Sequence, residues 1–175
     1  VGPFSMQTPH TGGMSYVNSV KKIPHAALSL EDANMLTRMA TRGEKLQVRL
    51  KMEAHTLPDG ISRNVIAEIP GYENPEEIII VSGHIDSWDV GQGAMDDGGG
   101  CLAAWEAARL ILKLGLRPRR TVRVVLWTNE ENGIRGAIQY AQRHDKALAK
   151  HTLAIESDSG VFQPTGFGFL GSGRG

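Results

Sequence analysis

Residues 78–101 read IIIVSGHIDSWDVGQGAMDDGGGC, and the reading of this stretch decides the fold. Ile78 to Val81 is an unbroken run of β-branched residues, the pattern of a strand buried on both faces. A glycine-rich loop follows, carrying His84, Asp86, Asp96 and Asp97. Polar residues that crowd the carboxyl end of a buried strand belong to an open α/β sheet, where such ends converge on one crevice.

Toward the C-terminus the pattern alternates. Leu102 to Leu114 predicts an apolar helix closed by Gly115, with Pro118 beyond it. Thr121 to Trp127 predicts a second buried strand, Ile134 to Lys150 a helix with its charges on one side, and Thr152 to Ile155 a short third strand. Strand, helix, strand, helix, strand implies a parallel core with right-handed crossovers. Toward the N-terminus, Asn64 to Ile69 predicts a strand ended by Pro70-Gly71, and Pro58-Asp59-Gly60 a turn. Val48, Leu50, Met52 and Ala54 alternate with polar residues, which predicts one more strand, antiparallel to 64–69. Ser29-Leu30-Glu31-Asp32 is a capping-box pattern that starts a helix running to Ala40, and Gly43 stops it. Residues 1–28 read as loop with one short strand.

Bulk properties narrow the function. Lys+Arg and Asp+Glu are both 19 in 175 residues, so neither charge balance nor any basic run points to a nucleic-acid partner. No apolar run reaches the roughly 20 residues of a membrane-spanning helix. The single cysteine, Cys101, excludes an internal disulfide and reads as a small buried residue.

The chemistry sits at the strand ends. His84 and Asp86 lie two apart in extended chain, so their side chains share a side. Asp86 can then hold one imidazole nitrogen while the other binds a metal. Asp96 and Asp97 are adjacent, and adjacent carboxylates repel unless a cation sits beside them. Glu130 and Glu131 end VRVVLWTNEEN; consecutive side chains diverge, so one can ligate while its neighbour serves as general base to a water. Asp158 follows the last strand in LAIESDSG, with Glu156 as a rival ligand that spacing alone does not exclude.

Each feature has a plainer reading: a surface histidine, a solvated acidic turn, an acidic helix start. Their convergence at successive strand ends favours a metal site over three separate coincidences. His10, His25, His55, His144 and His151 fall on loops or polar helix faces and read as structural or solvated. G-Q-G-A-M-D only approaches a dinucleotide fingerprint, and its two aspartates would repel a pyrophosphate. No serine has the G-x-S-x-G surroundings of a nucleophile elbow. The rival from another class is a non-catalytic metal-binding or interaction module.

Three stretches in order, GHIDSWDVGQGAMDDGGG (83–100), RPRRTVRVVLWTNEENG (117–133) and LAIESDSG (153–160), resemble the di-zinc aminopeptidase and glutamate carboxypeptidase family. The resemblance implies a three-layer αβα domain with a mixed, largely parallel sheet over residues 46–175, incomplete in this chain. Residues 1–45 would be the tail of a protease-associated insert domain. It further implies that His84 binds a first zinc with Asp86 behind it, and that Asp158 is the other ligand of that zinc. Asp96 would bridge two zincs, with a cis peptide bond to Asp97; Glu131 would bind the second zinc and Glu130 would be the general base. Small peptides, above all dipeptides, would be the substrates, in a secreted or lysosomal homodimer. The family places a second histidine on the second zinc far downstream, and no histidine follows Asp158. The expectation is therefore a segment of a longer peptidase, weak in zinc binding and inactive alone.

Overall fold

The computed structural model describes residues 5–9, 13, 15–17, 19–55, 57–88, 91–158 and 160–171. The chain separates into two compact units, 1–61 and 62–175.

In the first unit Ser29 caps α1 (Leu30–Thr41), its hydroxyl accepting from the Asp32 N–H at 3.1 Å. The pattern at 29–32 works as a cap because it meets one of the unpaired N–H groups of the first turn. Glu31 adds a second tie. Its carboxylate accepts from the Ser5 hydroxyl and from the N–H groups of Ser5, Met6 and Gln7, and hydrogen bonding, the Ser5 hydroxyl foremost, lowers its pKa to about 2. Gly43, at φ +79°, ends the helix in a left-handed turn open to glycine.

Residues 48–54 correct the sequence reading: they form no strand, and Val48 is 69% exposed. Alternation defines a face, but a strand also needs a neighbour's N–H and C=O groups. No such ladder pairs with 48–54 among the described residues.

The second unit holds a four-stranded sheet in the order β1-β3-β2-β4. These strands are β1 (Val65–Ile69), β2 (Asn74–His84), β3 (Arg120–Trp127) and β4 (His151–Glu156). β2 runs parallel to β3 and to β4, and β1 pairs antiparallel with β3. The antiparallel partner of 65–69 is therefore β3, not 48–54. β2 starts earlier than its β-branched run, with an irregularity between Asn74 and Ile78. Pro75 lies there and has no N–H for a ladder; its carbonyl accepts instead from the Thr121 hydroxyl at 2.7 Å.

Helices cover both faces. α2 (Gly98–Lys113) packs on β2 and β3 and, with Val122 and Val124, lines an apolar groove beside β1. α3 (Arg135–Arg143) lies on the other face, where Tyr140 packs with Ile78, Ile80, Val125 and Trp127. Alternate residues of β3 thus serve the two layers, as a period of two requires. Trp127 and Tyr140 meet edge to face at 5.3 Å, a pair contributing roughly 0.5–1.5 kcal/mol beyond burial.

Two helix bounds differ from expectation. α2 begins at Gly98 rather than Leu102, because Asp97 caps it and the glycines allow close approach to β2. The long 134–150 helix breaks at His144 into α3 and a 3₁₀ segment, Asp145–Lys150. The break seats His144 on the Tyr140 ring (centroids 4.0 Å apart) and lets His151 reach the Tyr140 hydroxyl at 2.8 Å. Among the described residues no helix is long and apolar enough to cross a membrane.

Candidate metal centre

The register puts His84 opposite Trp127 at the carboxyl ends of β2 and β3. Ser82 pairs with Glu156 one strand over, so the loops after all three parallel strands open on one side. His84 is 1% exposed. Its own N–H donates to Asp97 Oδ2 at 2.9 Å, and its carbonyl accepts from the Cys101 thiol at 3.0 Å. Burial, with the charge of Asp97 next, pushes that thiol up to about 11, so Cys101 is a packed donor rather than a nucleophile.

The imidazole is held at both nitrogens. Nδ1 lies 2.9 Å from the Asp86 backbone carbonyl, which can only accept, so Nδ1 carries the hydrogen. The other nitrogen, Nε2, faces three carboxylates: Asp96 Oδ1 at 3.2 Å, Asp158 Oδ1 at 3.3 Å and Glu130 Oε2 at 3.9 Å. Burial alone would lower the His84 pKa, but the Asp86 carbonyl and the charges of Asp158, Asp97 and Glu130 raise it. The sequence reading had the Asp86 carboxylate holding the imidazole. In the structure that carboxylate stands 3.8 Å from Nδ1 and accepts instead from the N–H groups of Glu130 (2.9 Å) and Glu131 (3.2 Å).

Asp97 is 1% exposed and caps α2, with Oδ1 accepting from the Gly100 N–H at 3.0 Å. Burial raises its carboxyl pKa against those amide bonds. The Asp96–Asp97 peptide is cis. A side chain at Gly83 would lie 2.5 Å from both Asp97 Oδ2 and the Cys101 nitrogen, and one at Gly100 would run into the Ser157 carbonyl. These glycines let α2, β2 and the loop after β4 close around the buried histidine.

Glu130 and Glu131 follow Asn129, whose φ of +55° turns the chain sharply after β3. Burial raises both glutamate pKa values; nearby carboxylates add to the effect, with Asp96 the largest charge acting on Glu131. Glu131 Oε1 and Asn129 Oδ1 are buried with no hydrogen-bond partner. Glu156 lies within β4, and burial followed by the charges of Asp158 and Glu130 raises its pKa. Asp158, not Glu156, meets the imidazole.

A cation fits these residues. Ligand atoms of His84, Asp96 and Asp158 lie within 4.8 Å of one another. Two ligands 2.0–2.1 Å from a tetrahedral zinc stand about 3.3 Å apart, the separation seen between Nε2 and each aspartate. The unpartnered Glu131 oxygen is a further donor with no proton or amide to meet. One imidazole among carboxylates suits zinc and its neighbours better than calcium or a soft-metal site.

His144 and His151 are structural, and His10 lies outside the described residues. His144 stacks on Tyr140, and His151 accepts from the Tyr140 hydroxyl, which itself accepts from Arg123. Asn64 escaped the sequence reading: its amide ties the Thr128 N–H to the Gly136 carbonyl, joining the end of β3 to the start of α3. A lone asparagine before a strand carries no signal of that role.

Residues 64–174 match the model of peptidase family M28. The chain belongs to peptidase family M28. Its M28 relatives include carboxypeptidase Q of Homo sapiens, 55% identical over 172 residues, covering 98% of this chain and 36% of that protein. Carboxypeptidase Q of Xenopus laevis is 56% identical over 171 residues, with the same coverage of each. Among solved structures, a peptidase M28 precursor from Shewanella amazonensis superposes with a TM-score of 0.81 at 42% identity, covering 87% of this chain and 34% of that one. The chain thus spans about a third of the length of the M28 proteins it matches. The mixed open sheet with its flanking helices is the M28 fold over the part shared.

Proposed function

We propose that this chain supplies most of the metal-binding half of a zinc-dependent exopeptidase that cleaves small peptides, dipeptides foremost. The observation that carries this reading is the set at the strand ends: one imidazole nitrogen, Nε2, facing Asp96 and Asp158 at 3.2 and 3.3 Å, with Glu130 beside it. Residues 46–175 would be catalytic-domain sequence and residues 1–45 the tail of an inserted domain. A secreted or lysosomal setting and a homodimer belong to the same reading and rest on the resemblance alone.

In this scheme His84, Asp96 and Asp158 would hold a first zinc, and Asp96 with Glu131, whose buried oxygen has no partner, would hold a second. The ions, when bound, supply Lewis acidity toward a scissile carbonyl and toward water. Glu130 does the proton work. Its raised pKa suits a group that takes a proton from the attacking water and returns it to the leaving amine. Asp97 holds the His84 backbone, and Cys101 holds the carbonyl behind it.

The test is Glu130→Gln in the intact protein. Dipeptide hydrolysis should fall at least about 1,000-fold, the upper range for a lost general base, while bound zinc per chain is unchanged. Near-normal hydrolysis would sink the assignment. Zinc binding with no hydrolysis in either form would favour a non-catalytic metal-binding module.

A further inference from the structure

Asp86 lies two residues beyond β2, yet its side chain acts on residues 44 and 45 positions later. Oδ1 accepts from the Glu130 N–H at 2.9 Å and Oδ2 from the Glu131 N–H at 3.2 Å. Two successive N–H groups can point at one carboxylate only where the backbone bends. The bend is present: Asn129 is left-handed, and carbonyls of the same loop accept from the N–H groups just beyond it. Glu130 accepts from Ile134 at 2.8 Å, Asn129 from Arg135 at 3.1 Å and Thr128 from Gly136 at 3.0 Å. The loop is therefore closed on its far side by its own backbone and on its near side by Asp86.

We propose that the Asp86 carboxylate is a positioning residue of the Glu130–Glu131 pair. The imidazole is served by the Asp86 carbonyl, which stays whatever side chain the residue bears. The carboxylate spans two adjacent amides and so sets both the height and the rotation of the Glu130–Glu131 peptide. That peptide determines where Glu130 Oε2 stands relative to His84 Nε2, and where the buried Glu131 Oε1 points. One residue thereby couples two strand ends: its main chain orients the imidazole after β2, and its side chain orients the glutamates after β3. The catalytic consequence rests on the peptidase reading above; the structural claim does not.

Three variants test it. Asp86→Asn keeps one acceptor but turns an NH₂ donor toward the other amide. Asp86→Ala removes both acceptors. Asp86→Glu keeps the charge but displaces the carboxylate by one methylene. In the zinc-free chain, hydrogen exchange at the Glu130 and Glu131 amides should speed up by about 10-fold or more in Asp86→Asn and further in Asp86→Ala, as expected for losing a charged acceptor. Amides in the middle of β3 should keep their protection. Zinc affinity at His84 should stay within a few-fold. In the intact protein kcat should fall about 10–100-fold with KM changed far less, the usual cost of removing a group that orients an active residue. Asp86→Glu should resemble Asp86→Asn.

Unchanged exchange at Glu130 and Glu131 together with lost zinc would overturn the proposal, since the carboxylate would then act on the imidazole. An equal rise in exchange across all of β3 would also overturn it, reducing Asp86 to a general prop of the fold. A wild-type Asp86→Glu would mean that charge, not placement, matters. Failure of Glu130→Gln to affect hydrolysis would remove the peptidase reading while leaving the amide result standing.

Discussion

On the floor of the crevice Asp97 is 1% exposed, and both its oxygens accept backbone N–H groups. One residue earlier, at the mouth, the Asp96 side chain is 66% exposed and faces the imidazole of His84. The same division holds elsewhere in the site. Asp86 spends its carboxylate on two amides, whereas Asp158, 45% exposed at its side chain, meets Nε2, and Glu131 has a buried oxygen with no partner. Carboxylates whose lone pairs are met by amides are scaffold; carboxylates left facing one another and an imidazole are open to a cation or a proton. Burial and bonding, not residue type, separate the two uses.

The largest test of this division is Asp97→Ala. It removes the α2 cap, worth about 1 kcal/mol, and leaves the buried His84 N–H unpaired, which costs about 1–3 kcal/mol more. Urea unfolding of the metal-free chain should show a loss of about 3 kcal/mol. A loss below about 1 kcal/mol would break the distinction, because the floor would then hold nothing.

Asp96→Asn should do the reverse. Metal-free stability should stay within about 0.5 kcal/mol of wild type, as at most exposed positions. Zinc affinity, measured by competition with a chelating dye, should fall at least about 10-fold, or about 1.4 kcal/mol. If stability falls and zinc affinity does not, Asp96 belongs to the floor.

Tyr140→Phe extends the floor's rule into the core beneath it. The hydroxyl links Arg123 of β3 to His151 of β4, and its removal should cost about 1 kcal/mol in the same unfolding assay. No measurable change would mean that the ring packing alone joins α3 to the sheet.

The smallest effect is on pH dependence. In the metal-free chain burial and neighbouring carboxylates raise Glu130 above its ordinary value of 4.5. The folded state therefore binds that proton more tightly than the unfolded state. The stability this gives is present below pH 4.5 and is lost as pH rises through the raised value. Glu130→Gln should therefore gain melting temperature relative to wild type between pH 4.5 and 7, and saturating zinc should shrink or reverse the gain. A difference that ignores both pH and zinc would place Glu130 outside the electrostatics of the mouth.

Much of this was legible in residue order. Ile78–Val81 and Thr121–Trp127 read as buried strands and are the centre of the sheet, because β-branched runs without alternation suit strands covered on both faces. The Ser29 cap is local chemistry and held. The strand expected at 48–54 failed because a ladder is made by two segments and a pattern describes one. The start of α2 was misplaced because three glycines read as loop; in the fold they are helical, admitted by the Asp97 cap and required by the approach of Ser157 and Gly83. The long helix after Ile134 was split by the Tyr140–His144–His151 packing, which joins residues whose contact the periodicity does not encode.

The sequence by itself determined which residues gather: His84, Asp86, Asp96, Asp97, Glu130, Glu131 and Asp158 all lie at or just past strand ends, and parallel strands must bring such ends to one edge. Tertiary structure decided which atom each residue offers and to what. It gave Nδ1 of His84 to a carbonyl and the Asp86 carboxylate to two distant amides, and it chose Asp158 over Glu156 for the imidazole. Those choices depend on backbone direction at the bends, above all the left-handed turn at Asn129 and the close pass at Gly83 and Gly100. Spacing along a chain sets which side chains are near; only the packing of the strands and helices around them sets their orientation.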